Sequence, residues 1–132
     1  MKITRRFTTP DQNVFDSVEW ERRSSRITNA DGSLVFEMND AWIPKAWSQL
    51  ATDIMVSKYF RKAGVPQQGE DGTPMLDEQG QPVTGPERSA RQVIHRLAGC
   101  WRAWGEKHGY FDSPEDGQIF YDELCWMMLH QA

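Results

Sequence analysis

The sequence has 132 residues, of which 39% are apolar and 26% charged, and a formal net charge of −4. These values fit one domain of ordinary size and exclude disorder throughout, because six Trp and six Phe supply much buriable area. The acidic balance also argues against a general nucleic-acid binder, which carries a basic excess.

The opening "MKITRRFTTPDQ" has basic residues but no apolar stretch behind them, so it does not read as a signal peptide. Residues 1–13 are polar, carry Pro10, and are expected to form an extended, partly mobile tail ahead of a single domain over 14–132. In "ITNADGSLVF", Asp31-Gly32 is a hairpin signal, since Gly accepts the positive φ of such turns. A β-hairpin is predicted over about 25–38.

A first helix is predicted in "IPKAWSQLATDIMVSKYFRKAG", with Pro44 in its first turn and Gly64 as its stop. Trp47, Leu50, Ala51, Ile54 and the stem of Lys58 would share one face. Residues 64–86 are dense in Gly and Pro and read as a flexible surface loop, with a possible small hairpin at "DEQGQ". The second helix follows in "ERSARQVIHRLAGCWRAWGEKHG". Val93, Ile94, Leu97, Cys100, Trp101 and Trp104 form its apolar stripe, and Gly109 its cap. The last helix starts at "SPED", with Ser113 as N-cap, Pro114 at N1, and Glu115 and Asp116 at the positive end of the helix dipole. It runs into "FYDELCWMMLHQA", where no C-cap is evident. The fold class is therefore α+β and predominantly helical: about three helices and a short N-terminal hairpin. No run approaches the roughly 18 apolar residues of a membrane span.

No catalytic constellation emerges. His95 has no Ser, Cys or Asp partner placed by spacing and reads as a structural histidine. His108 reads as a favourable charge beside a helix end. His130 has no metal-binding spacing with Asp122 or Glu123. Cys100 and Cys125 are too few and too far apart for a disulfide framework or a zinc site, and both read as packed thiols of a cytoplasmic protein. Asp112, Asp116, Asp122 and Glu123 read as a solvated acidic face. Lys58, Arg61 and Lys62 read as basic charge at a helix C-terminus. The glycines of the central loop make no phosphate cradle.

Three stretches in order carry a resemblance: "WSQLATDIMVSKYFRKAGVP", "ERSARQVIHRL" and "WGEKHGYF". Together with their flanks, from about Val14 to the last residue, they resemble the N-terminal region of adenosylcobalamin-dependent, class II, ribonucleotide reductases. The likeness is weakest from about Gln67 to Pro86. It implies a region that precedes the catalytic α/β barrel of an enzyme converting ribonucleotides to deoxyribonucleotides by a thiyl-radical mechanism. It places adenosylcobalamin and the reactive cysteines in the rest of that enzyme. No catalytic, cofactor-binding or metal-binding residue is expected in this chain, and neither Cys100 nor Cys125 matches the family's cysteine motifs. The partner so implied is the catalytic barrel, with no membrane and no direct nucleic-acid contact.

The last helix has apolar residues round most of its circumference, and such a helix needs neighbours on all sides. Three helices are not expected to surround it, so exposed apolar surface is predicted there. Phe120, Leu124, Trp126, Met127, Met128 and Leu129 are the residues expected to face a partner or a second copy. The alternative reading is a stand-alone binding or regulatory module that associates with a reductase or a nucleotide.

Overall fold

The computed structural model describes residues 1–69 and 73–132. The turn at Asp31-Gly32 is present. Gly32 has φ +87°, and the Asp31 carboxylate accepts from the Ser33 N–H at 2.9 Å and its hydroxyl at 2.6 Å. The strands it joins run well past the expected 25–38. β1 spans Trp20–Thr28 and β2 spans Leu34–Pro44, antiparallel, with Trp20 opposite Pro44. Tertiary contact explains the extension. Ala41 and Ile43 are fully buried, and the Trp42 N–H donates to the Arg88 carbonyl at 2.8 Å, which anchors the far half of β2.

Pro44 therefore ends a strand and does not start a helix. Helix α1 covers only Gln49–Ile54, capped by the Ser48 hydroxyl, and Met55–Tyr59 continue it as a π-helical turn. The Ser57 hydroxyl donates to the Asp53 carbonyl at 2.6 Å and so competes with the regular ladder where it slips. The Arg23 guanidinium pins the preceding turn, donating to the carbonyls of Lys45 at 2.7 Å and Trp47 at 2.5 Å and to the Thr52 hydroxyl at 2.8 Å. The helical run stops at Phe60, not at Gly64. Its buried face is also different from the one expected: Thr52, Val56 and Phe60 point inward, while Leu50 and Ile54 are exposed.

In the expected loop, β3 (Val65–Pro66) pairs with β4 (Thr84–Gly85), and a bridge joins Leu76 to Pro82 around a turn at Asp77–Gln81. Glu70, Asp71 and Gly72, in the middle of this segment, lie outside the described residues.

Helix α2, Ala90–Lys107, opens with a capping box between Ser89 and Gln92. Its inward face is Ala90, Val93, Ile94, Ala98 and Gly105. The outer half of the expected stripe is on the surface: Cys100, Trp101 and Trp104 are exposed, which corrects the reading of Cys100 as a packed thiol. At Gly105 a small residue is required because Phe111, in the connection to the next helix, lies directly against the backbone. A Cβ added at Gly105 would lie 2.5 Å from Cε2 of Phe111.

Helix α3 spans Pro114–Leu129, with Ser113 as its N-cap. Contrary to the sequence reading, it has a full C-terminal cap. Gln131 adopts φ +55°, its N–H donates to the Met128 carbonyl at 3.3 Å, and the Ala132 N–H donates to the Met127 carbonyl at 2.9 Å. This is a Schellman motif with Gln where Gly is usual. α2 and α3 pack together, and β2 and a short 3₁₀ turn at Val14–Ser17 complete the core. Phe15, Ile43, Trp47, Val56, Ile94, Cys125 and Leu129 meet there.

Candidate interaction surface

The first site to consider is α3, where apolar exposure was expected. No residue from Asp116 to Leu129 is exposed. Leu129 is buried, and its carbonyl accepts from the Trp47 indole N–H at 2.8 Å. Phe120 packs on Phe111 with ring centroids 5.4 Å apart. Trp126 is sandwiched between Phe7 at 4.3 Å and His130 at 4.1 Å. Leu124, Met127 and Met128 are half-buried.

The missing neighbour is the N-terminal segment. Residues 1–13 form no regular element, but they are fastened along α3 and do not behave as a loose tail. The N-terminal ammonium reaches the Tyr110 carbonyl at 2.6 Å and Asp112 at 2.5 Å. The Ile3 N–H donates to Asp116 at 2.9 Å, and Arg5 pairs with Asp122 at 2.7 Å. The Glu123 carboxylate collects the N–H groups of Arg6 and Phe7 and the Thr8 hydroxyl. Of the acidic residues expected to form a solvated face, only Asp112 is exposed. Asp116, Asp122 and Glu123 are buried, and they hold the strap. Hydrogen bonds from Ile3 and Ser113 keep the Asp116 carboxyl below its ordinary range. Burial pushes Glu123 up, but its bonds to Arg6, Phe7 and Thr8 more than offset this and leave it lowered.

The remaining polar groups are occupied in similar ways. Burial pushes the Cys125 thiol up to about 12, so it is not a poised nucleophile. His95 Nδ1 lies 2.6 Å from the Tyr121 hydroxyl, and His130 Nε2 lies 3.1 Å from the Ser17 hydroxyl. Lys62 donates to the Val56 carbonyl at 2.6 Å, as suits basic charge at a helix end. A polar cleft of about 670 Å³ lies between the Phe15 turn, the start of the loop and α2. Its charged walls are built into the fold. Buried Glu87 is clamped by Arg96 at 2.9 Å and by the Arg61 N–H at 2.8 Å, and Arg91 lies over the Phe15 ring at 4.6 Å. Among the described residues, no group of His, Cys, Asp and Glu has the makings of a metal site.

The second concavity is apolar. A groove of about 430 Å³ runs between the α1/π-turn and α2, with Val93 and Ile94 in its floor. Ala51, Ile54, Met55, Tyr59, Leu97 and Met128 form its sides, and Gln131 stands at its end. Ile54 is 46% exposed and Tyr59 56% exposed, so this is open apolar surface. On α2 the stripe continues outward from Leu97 through Trp101 and Trp104. Of the residues expected to face a partner, Met128 alone lines the groove. The sequence reading missed the groove by placing Ile54 on one apolar face with Trp47, Leu50 and Ala51 and not asking what covers it. A signal was present: Thr52, Val56 and Phe60 form a competing stripe at i, i+4 and i+8, and two stripes mean two neighbours.

Neither concavity fits a corrinoid, which needs a broad cradle with polar partners for its amide side chains: one has an uncharged apolar lining, and the other is walled by the Glu87–Arg96 ion pair. Among the described residues, no helix is long and apolar enough to cross a membrane.

Residues 21–131 match the family described as class II vitamin B12-dependent ribonucleotide reductase. The chain is 42% identical to the vitamin B12-dependent ribonucleotide reductase of Bradyrhizobium diazoefficiens, over 99% of the chain and 12% of that protein. The corresponding protein of Agrobacterium fabrum gives the same identity and coverage. That of Rhodopirellula baltica is 40% identical, over 99% of the chain and 11% of its own length. The chain thus spans about an eighth of the relatives it matches.

Proposed function

The chain belongs to the class II vitamin B12-dependent ribonucleotide reductase family, as its N-terminal part, and from that premise we propose that it serves as the non-catalytic positioning domain of such a reductase. The whole enzyme would convert ribonucleotides to deoxyribonucleotides in the cytoplasm. Adenosylcobalamin, bound elsewhere in the enzyme, would supply the radical chemistry, and protein would supply position and shielding. The observation that carries this reading is the family match across nearly the whole chain, at only 12% of the relatives' length. The geometry supports it. Histidines, carboxylates and Cys125 are engaged in holding the fold, and the free feature is an apolar surface suited to another protein segment.

The test is replacement. The matching segment of the Bradyrhizobium diazoefficiens protein is exchanged for this chain, and reduction of ribonucleotides with adenosylcobalamin is measured. Activity near that of the parent, together with loss of activity when the segment is omitted, is the expected result. Equal activity without the segment would overturn the reading. The alternative, a stand-alone module, predicts that the 132-residue chain binds ATP, dATP or adenosylcobalamin tightly by itself in calorimetry.

A further inference from the structure

Among the described residues, none fills the open groove. Ile54 and Tyr59 stand exposed and Leu97 half-buried on its sides, while no apolar residue of α3 between Asp116 and Leu129 is exposed in this way. Its lining is uncharged, and the only side-chain polar groups it presents are the Tyr59 hydroxyl, the Trp47 indole N–H and the Gln131 amide. The indole is already committed to the Leu129 carbonyl. The Tyr59 carbonyl is likewise taken, by Arg96 at 2.9 Å. Such a trough between two helical elements suits the apolar face of a third helix, and an ion or a phosphorylated ligand would find no counter-charge in it.

Two observations say which helix. The Schellman turn brings the backbone at Gln131 to the mouth of the groove, so polypeptide continuing from there starts beside it. The relatives carry about seven-eighths of their length outside the part matched by this chain. We propose that the groove between the α1/π-turn and α2 is the docking site for an uncharged, apolar helical face of the catalytic portion of the reductase polypeptide. The π-helical turn suits this role. It places Met55 and Tyr59 on one side, toward the groove, while Val56 still points to the core. The inference rests on the reading of the chain as a reductase positioning domain, and it names the face by which that domain attaches.

Hydroxyl-radical footprinting with mass spectrometry tests it without any substitution. The 132-residue chain is compared with the hybrid in which it replaces the matching segment of the Bradyrhizobium diazoefficiens reductase. Oxidation of Ile54, Tyr59 and Leu97 is expected to fall at least about fivefold in the hybrid, because the centre of a packed interface excludes water. Leu34 and Val35, exposed beside the hairpin turn, serve as unchanged references. Equal oxidation of the groove in chain and hybrid overturns the proposal. Protection in the isolated chain that grows with its concentration overturns it too, in favour of a second copy. Reductase activity is read on the same hybrid. An active hybrid with an open groove sinks this inference and spares the functional reading, and a protected but inactive hybrid does the reverse.

Discussion

Helices α2 and α3 invite comparison. Both are N-capped by Ser, and both end in a Schellman motif, with Gly109 in one and Gln131 in the other. Both carry apolar residues on more than one face. Yet α3 exposes nothing between Asp116 and Leu129, while α2 leaves Trp101 and Trp104 at the surface. The strap of residues 1–8 accounts for the difference. It lays Phe7 on Trp126 and gives three buried carboxylates their partners. Enclosure is therefore not a property of a helix's own pattern. It depends on which neighbours the chain can bring to it.

The comparison breaks most directly by removing the strap. Deleting residues 1–8 strips buried Glu123 of its partners and leaves Asp122 with only the Gln118 amide, and should destabilise the chain by about 4 kcal/mol, or roughly 12 °C in Tm. A thermal melt that moves by only a degree or two would show that α3 does not depend on it. Next in size is Gly105→Ala, whose methyl group would meet the Phe111 ring. Pushing that ring off α2 should cost about 2 kcal/mol in denaturant unfolding.

Acid gives a graded version of the first test. Asp116 and Glu123 are lowered in the folded chain, so their contribution to stability is fully present above the ordinary carboxylate range and is lost as pH falls through the folded values. Stability should therefore decline on acidification below about pH 4.5, and the decline should be shallower in the variant lacking residues 1–8. Parallel pH profiles for the two proteins would dissociate the carboxylates from the strap. The smallest effect is expected on the open side. Leu50→Ser and Trp104→Ser should each change the stability of the isolated chain by no more than about 0.5 kcal/mol. A larger loss would mean that these side chains pack inside the domain after all.

Local signals were read well where local chemistry decides the outcome. Asp31-Gly32, Ser113-Pro114 and Gly109 all act as their residue types dictate. The sequence reading failed where distant segments decide. Pro44 suits a helix start, but burial of Ala41 and Ile43 against α2 keeps it in a strand. Trp47 lies on the expected apolar side, yet it is buried from the turn before α1 and not from within the helix. The acidic residues of α3 look like a solvated face because their partners lie more than a hundred positions away, in a segment with no periodicity to announce it. The groove was illegible for a related reason. Leu50 and Ile54 have the spacing of core residues, and periodicity does not say whether the covering surface belongs to the same domain.

The strap has a consequence for synthesis. Its bonds join residues 109 to 117 positions apart, so residues 1–8 meet their partners only after almost the whole domain has emerged from the ribosome. At ordinary elongation rates that wait is on the order of ten seconds. During it Arg5 and Phe7 have no native place to go, and the hairpin, α1 and α2 must assemble without them. The strap is thus made before the rest of this domain and put to structural use after it, and the pace of translation sets when the domain closes.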